Sequence, residues 1–243
     1  MIYQGTIPII EVRQGLIPII AIAKGNEVFN ITDEPVEEYI PLDYIESTKT
    51  QYIDTGYYVK YGDVITVDMN FIDTQSYFGY YSSSTNRVGI GVAKGAFEII
   101  GGTNSMKMAP ASDNERHTFV IDTTGKLKFD DTETTVTPMA TDFASAYSFA
   151  LFGRKQSATS VSYKGQHRMH RFTIENNGEL IMNLMPYERT KDGAIGLLDT
   201  VTGTFYANNG TGTFIGSYGL DFSTADGNTF KTSDGNAFLV KGE

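Results

Sequence analysis

Along most of this chain, apolar and polar positions alternate in short runs, and Gly, Asn or Asp breaks the pattern about every ten residues. A period near two marks a strand with one covered face, and those breakers supply turns. Residues 64–71 (VITVDMNF) alternate imperfectly, residues 76–81 (SYFGYY) form an aromatic run, and residues 88–100 read as two strands around Lys94-Gly95. Residues 117–121 and 126–129 read as a hairpin across Asp122-Thr123-Thr124-Gly125. Further strands are expected over 147–153, 166–175 and 179–185, the last two joined by a turn at Asn176-Asn177-Gly178. Residues 140–151 come nearest to a helical stripe, with Phe143, Tyr147 and Leu151 four apart, but Tyr147, Phe149 and Leu151 also alternate as a strand would.

Turn residues are densest over 187–214 (YERTKDGAIGLLDTVTGTFYANNGTGTF). Asp192-Gly193 precedes an apolar run, 199–203 punctuates, and Phe205-Tyr206 leads into Asn208-Asn209-Gly210. That is strand, turn, strand, turn, strand. Such a stretch serves either as a binding loop or as the last wrap of a β fold.

Both ends carry short repeats. Residues 4–12 (QGTIPIIEV) return ten residues later as QGLIPIIAI, and KGNEVF at 24–29 begins a shortened third copy. Glycine at 5, 15 and 25 reads as a turn after each short strand, and Pro8 and Pro18 confine those strands to edges or starts of pairing. Strands this short bury little alone, so they pack either on their own domain or on a partner subunit. Residues 30–41 look like an acidic connector. At the other end, DGNTF at 226–230 recurs as DGNAF at 234–238, a hairpin-like tail.

Composition agrees with the pattern. The 243 residues include 25 Gly, 15 Tyr and 15 Phe, which favour strands and tight turns over helices. A formal net charge of −10 argues against a nucleic-acid partner, because phosphate binding needs a basic face. The absence of Cys excludes disulfides, thiolate metal sites and Cys nucleophiles. The most apolar run, 16–23, contains Pro18 and falls far short of the roughly 20 residues a membrane-spanning helix needs. No signal-peptide pattern opens the chain, so a location outside the cell would imply release by lysis or a dedicated system.

Two sets of residues carry a family resemblance. Residues 116–122 (RHTFVID) and 125–131 (GKLKFDD) resemble the central hairpin of laminin-G-like domains, and 163–166 (YKGQ) with 171–174 (RFTI) resemble their closing strand. Residues 44–57 (YIESTKTQYIDTGY), paired with 192–199 (DGAIGLLD) through Gly212-Thr213-Phe214, are similar to a module of phage and prophage structural proteins of gut bacteria. The family carries Gly where Lys49 stands. The first resemblance implies a concanavalin A-like jelly roll, often glycan-binding. The second implies a virion surface location. In a jelly roll the first and last strands lie side by side, so 187–214 is expected to close the fold beside Tyr52.

Catalytic and metal patterns are scarce. The superfamily's glucanases use Glu-x-Asp-x-x-Glu on one strand face, which does not occur here. Glu34, Glu37 and Glu38 fall in the connector, and Asp130, Asp131 and Glu133 in a turn. His167 and His170, three apart on one strand, are expected on opposite faces and poorly placed to share a metal. Gly89-Ile90-Gly91 precedes a strand rather than the helix a dinucleotide loop needs. Asp192, Asp199 and Asn208 form a weak Ca²⁺ candidate, their alternative role being turn caps. For a glycan, the candidate residues are Tyr77, Tyr80, Tyr81, Asn86, Arg87 and Arg154, with alternate residues of the tyrosine run turned inward.

These features give an all-β, two-sheet antiparallel jelly-roll sandwich over 42–216, preceded by a β-repeat anchor (1–30) and connector (31–41) and followed by a hairpin tail (217–243). The expected function is a non-enzymatic phage virion protein, a fibre or decoration component at the virion surface. It would be oligomeric, need no cofactor, and attach through residues 1–30 to virion proteins or sister chains. A carbohydrate-binding adhesin is the alternative, and a glycoside hydrolase a remote one.

Overall fold

A computed structural model describes residues 38–218, apart from 74, 94 and 109–113, together with the backbone of short paired strands nearer both ends. The chain divides into two compact units, 1–38 and 39–243. In the first, β1 (Tyr3–Gln4) pairs with β2 (Ile7–Pro8), and β3 (Ala21–Lys24) with β4 (Glu27–Asn30). These pairs flank Gly5 and Gly25, as the outer repeats predict. The turn at Gly15 lies outside the described residues.

The second unit opens with β5 (Tyr39–Pro41), β6 (Tyr44–Glu46), β7 (Ile53–Asp54) and the long β8 (Asp63–Phe71). A meander follows: β9 (Ser76–Tyr81), β10 (Arg87–Ala93), β11 (Ala96–Gly101) and β12 (Asn104–Met108). Next come β13 (Arg116–Asp122), β14 (Lys126–Phe129) and β15 (Thr132–Thr135). Three two-residue strands, β16 (Ala150–Leu151), β17 (Arg154–Lys155) and β18 (Val161–Ser162), lead into β19 (His167–Asn176) and β20 (Glu179–Arg189). The sandwich closes with β21 (Ala194–Asp199), β22 (Phe205–Tyr206) and β23 (Ile215–Ser217). In the tail, β24 (Thr229–Lys231) pairs with β25 (Ala237–Leu239), while both Asp-Gly-Asn segments of that repeat lie outside the described residues.

The strands between β5 and β23 form two sheets packed face to face, an all-β sandwich. The larger runs β15-β14-β13-β8-β19-β20-β21-β22, with β5 paired to β20, and β6 paired to β19 and β23. The smaller runs β12-β11-β10-β9-β16-β7, with β17 beside β9 and β18. All these pairs are antiparallel except β17 with β9.

Alternation builds the core. On β8, Ile65, Val67, Met69 and Phe71 are fully buried, with Thr66 and Asp68 turned the other way. Phe71 lies at the centre, its ring 5.6 Å from those of Phe78, Phe97 and Phe119, so both sheets meet on it. Burial of each such side chain contributes about 1.5–3 kcal/mol, which outweighs the weak propensity of the individual strands.

The structure departs from the sequence pattern at three places. Residues 39–41, read as the end of the connector, form β5 against β20. In the segment expected as a strand over 147–153, Tyr147 to Phe149 are irregular and pairing is confined to Ala150–Leu151. The backbone over 145–149 still bonds Thr55–Val59, through Phe149 N to Tyr57 O and Ser145 N to Val59 O, but without ladder spacing. On β19 a register shift between Met169 and Arg171 leaves His170 and Arg171 both turned outward, while His167 and His170 still fall on opposite faces as their spacing predicts. His167 is fully buried and His170 is not.

Candidate ligand site

On β9, Tyr77, Gly79 and Tyr81 point to the outer face of the smaller sheet, while Phe78 and Tyr80 point into the core. Gly79 sits opposite Gly89 of β10, and Tyr77 opposite Gly91. A Cβ on Gly91 would lie 2.2 Å from the Tyr77 ring, so that ring packs directly against the glycine. At Gly79, φ is +96° and a Cβ would fall 2.1 Å from the Val88 carbonyl oxygen, which only glycine avoids. Glycines therefore give this face a bare floor with a gap between two tyrosines.

Arg154 fills that gap. It stands beside Gly79 on the parallel neighbour β17. Its guanidinium carbon lies 4.8 Å from the Tyr77 ring centre, 4.9 Å from Tyr81 and 4.3 Å from Tyr163. A cation over a tyrosine face is attracted by the ring quadrupole, and three rings enclose this one. The cage is tied together: Tyr77 N donates to Tyr163 O at 3.1 Å, and Tyr77 Oη to Glu98 Oε2 at 2.9 Å. Burial and then the Glu98 bond push the Tyr77 phenol up to about 12, so it stays protonated as a donor. Glu98 in turn meets Lys107 at 3.7 Å. The Arg154 Nε is buried with no acceptor among the described residues. Tyr163 is 45% exposed and forms the outer wall.

The glycan candidates thus separate. Tyr77, Tyr81 and Arg154 come together. Tyr80 does not: it is 1% exposed in the core, with its hydroxyl buried and unbonded, because alternation turns it inward. Asn86 and Arg87 are engaged structurally. Asn86 accepts from Ala146 N at 3.2 Å and donates to Ala144 O at 3.0 Å, and Arg87 Nε donates to Gly102 O at 3.0 Å. Sequence reasoning missed Tyr163 and Glu98. Glu98 was legible, as the one polar residue in Ala96-Phe97-Glu98-Ile99-Ile100. Tyr163 has a positive φ of 54° after a two-residue strand, a position no periodicity marks.

Of the calcium candidates, Asp192 and Asn208 line one groove and Asp199 does not. Asp199 accepts from the amides of Asn183 and Val201 and from Thr202 Oγ1, capping the turn after β21. Asp192 pairs with Arg189 and caps Ala194 N. Asn208 accepts from Tyr52 N and Gly210 N while donating to Gly212 O. Among the described residues, no three His, Asp or Glu side chains are grouped where a metal ion could be held.

Two other clusters bear on chemistry. A groove of about 500 Å³ runs along the turn-rich stretch, between Asp192, Ile195, Asn208, Thr213 and Phe214, and its Asp192 and Asn208 side chains carry the capping bonds just described. Near β7, Lys155 bonds both Asp54 and, at 2.7 Å, Ser148 Oγ, and Ser148 donates to Asp54 Oδ1 at 2.5 Å. A serine beside a lysine can act as a nucleophile when the lysine is a free base. Here Lys155 is ion-paired and the serine is 2% exposed, so the cluster ties the start of β7 to the β16–β17 region. Burial raises the Asp54 carboxyl, yet the bonds from Lys155, Ser148 and the Gly56 amide outweigh it and hold it below the ordinary range.

The two stretches with the phage-module resemblance are joined directly. Asn209 N donates to Tyr52 O at 2.8 Å, Asp54 N to Asn209 Oδ1 at 2.8 Å, and Gln51 Nε2 to Thr213 O at 2.8 Å. β23 then pairs with β6, with Ile215 opposite Glu46. Neither a protein-family model nor a curated protein sequence matches the chain.

Proposed function

We propose that this chain is a non-enzymatic structural protein of a phage particle, a fibre or decoration component that displays a lectin-like jelly roll at the virion surface. The observation that carries the reading is the bonding of residues 50–54 to residues 208–213. The two stretches similar to a phage structural module are thus one structural feature, the closure of the sandwich. The unit at 1–38 suits attachment, because its strand pairs are too short to stand alone and need a surface to pack on. Deleting residues 1–30 tests this. The truncated chain should fold but fail to enter particles, and full incorporation of the deletion would overturn the attachment role.

A second reading, a carbohydrate-binding adhesin, is favoured by the Tyr77–Tyr81–Arg154–Tyr163 cage. Tyr163, the exposed outer wall, offers an aromatic surface for the apolar face of a sugar beside the Arg154 guanidinium. The two readings are compatible, since a displayed module can also grip the host surface. A glycan array probed with the multimerised full chain tests the second. Binding to a defined class of sugar supports it, and no binding at high valency removes it.

A further inference from the structure

We infer that the Arg154 cage is a subsite for the carboxylate of an acidic sugar. The inference rests on the carbohydrate-binding reading of that face and goes further by naming the ligand class.

The argument starts from what Arg154 lacks. A guanidinium carries five donors in a planar fork that matches a carboxylate, and in a partly buried setting it normally finds one. Arg154 is partly buried, yet its contacts among the described residues are with three tyrosine rings, and no carboxylate or carbonyl accepts from it. The nearby carboxylate, Glu98, is engaged by the Tyr77 hydroxyl and Lys107. The cage therefore fixes the cation in place and leaves its hydrogen-bonding capacity unfilled. The fold makes room for the cage at Gly91, where a Cβ would lie 2.2 Å from the Tyr77 ring.

The ligand class follows from size and charge. Arg154 lies 4.3 Å from the Tyr163 ring, and Tyr163 is the wall open to solvent. A ligand that satisfies both must carry an apolar face and a carboxylate within a single ring-sized unit. A sugar acid does so, because its carboxyl is attached to the ring that stacks. An aspartate or glutamate side chain carries the charge on a short flexible stem that cannot cover a tyrosine ring.

The test is a titration of the full chain with oligosaccharides ending in glucuronic acid or in N-acetylneuraminic acid. Each is compared with its carboxyl-reduced counterpart, and a short poly-glutamate peptide serves as a further probe. Binding should favour the acids, and Arg154→Met should weaken it about tenfold or more, the usual effect of losing a bond to a charged group. Tyr163→Ala, at an exposed position, should weaken binding without lowering thermal stability. This guards against misreading a folding defect in Arg154→Met. Equal affinity for acidic and reduced sugars would overturn this inference while leaving the carbohydrate reading intact. Preference for the peptide would overturn the choice of a sugar. Absence of binding to every sugar at high valency would remove both.

Discussion

The amide of Tyr52 donates to the side-chain oxygen of Asn208 at 3.2 Å, joining residues 156 positions apart in the chain. The same oxygen accepts from Gly210 N at 2.7 Å, so one asparagine shapes its own turn and pins that turn to the beginning of the sandwich. Asn208→Ala leaves both donors without that acceptor, and a loss of about 2 kcal/mol is expected. Gly210→Ala should cost more, because a Cβ there would lie 2.2 Å from the Thr50 carbonyl oxygen, a backbone atom that cannot swing away. Gly193→Ala meets no close atom, and its φ of +66° sets a cost nearer 1 kcal/mol. Denaturant unfolding gives the order. Equal losses at Gly193 and Gly210 would contradict a closure held by close backbone approach.

His167 makes folding sensitive to acid. It is fully buried between Phe71 and Phe78, with neither ring nitrogen bonded, and burial lowers its pKa from 6.5 to about 3. Below pH 6.5 the unfolded chain takes up a proton that the folded chain refuses. Stability from this residue is complete above 6.5 and is lost progressively as the pH falls toward 3. Between pH 6.5 and 4.5 the loss is about 2 kcal/mol. Urea unfolding of wild type and His167→Leu at both pH values measures it. The variant should lack that slope, and parallel pH profiles for the two proteins would contradict the assignment.

Lys49 occupies a turn with φ of +77°, where the resembled family carries Gly, and it reaches Asp73 at 2.7 Å. An exposed ion pair contributes little, whereas a left-handed conformation costs a residue with a Cβ about 1 kcal/mol. Lys49→Ala removes the pair and keeps the strain; Lys49→Gly removes both. The glycine variant should unfold at higher denaturant than the alanine variant by about that amount. The reverse order would mean the turn is not strained.

Lys155, Asp54 and Ser148 act as a unit near β7. Lys155→Met is expected to cost about 2 kcal/mol, since it strips a partly exposed carboxylate of its cation. Combining it with Asp54→Asn should cost less than the two changes added together, because each single change already breaks the same interaction. A double-mutant cycle by thermal unfolding gives the coupling, and strict additivity would show the pair to be independent.

What the sequence made legible follows from what determines each feature. The hairpin at 117–129 was readable because alternation and a Gly-containing turn are local, and the structure pairs Phe119 with Phe129 and Asp122 with Lys126. The closure beside Tyr52 was readable because dense turn residues must end somewhere and a β fold needs its edge covered. Tyr77, Tyr81 and Arg154 were named together, but the reason they meet was hidden. It lies in glycines at 79, 89 and 91, whose role appears once β9 and β10 are in register. Tyr80 shows the opposite limit. Period two says that neighbours on a strand face opposite ways, and a run of tyrosines does not say which of them faces the core. β5 and β17 were missed because strands of two or three residues carry no period at all; partners far along the chain define them.

The most direct test of the displayed-module account is immunogold labelling of purified phage particles with an antibody raised against residues 39–218. The account predicts label at repeating positions on the particle exterior, and loss of that label when residues 1–30 are deleted. Bare particles, with the antigen confined to the soluble fraction of the lysate, would contradict it.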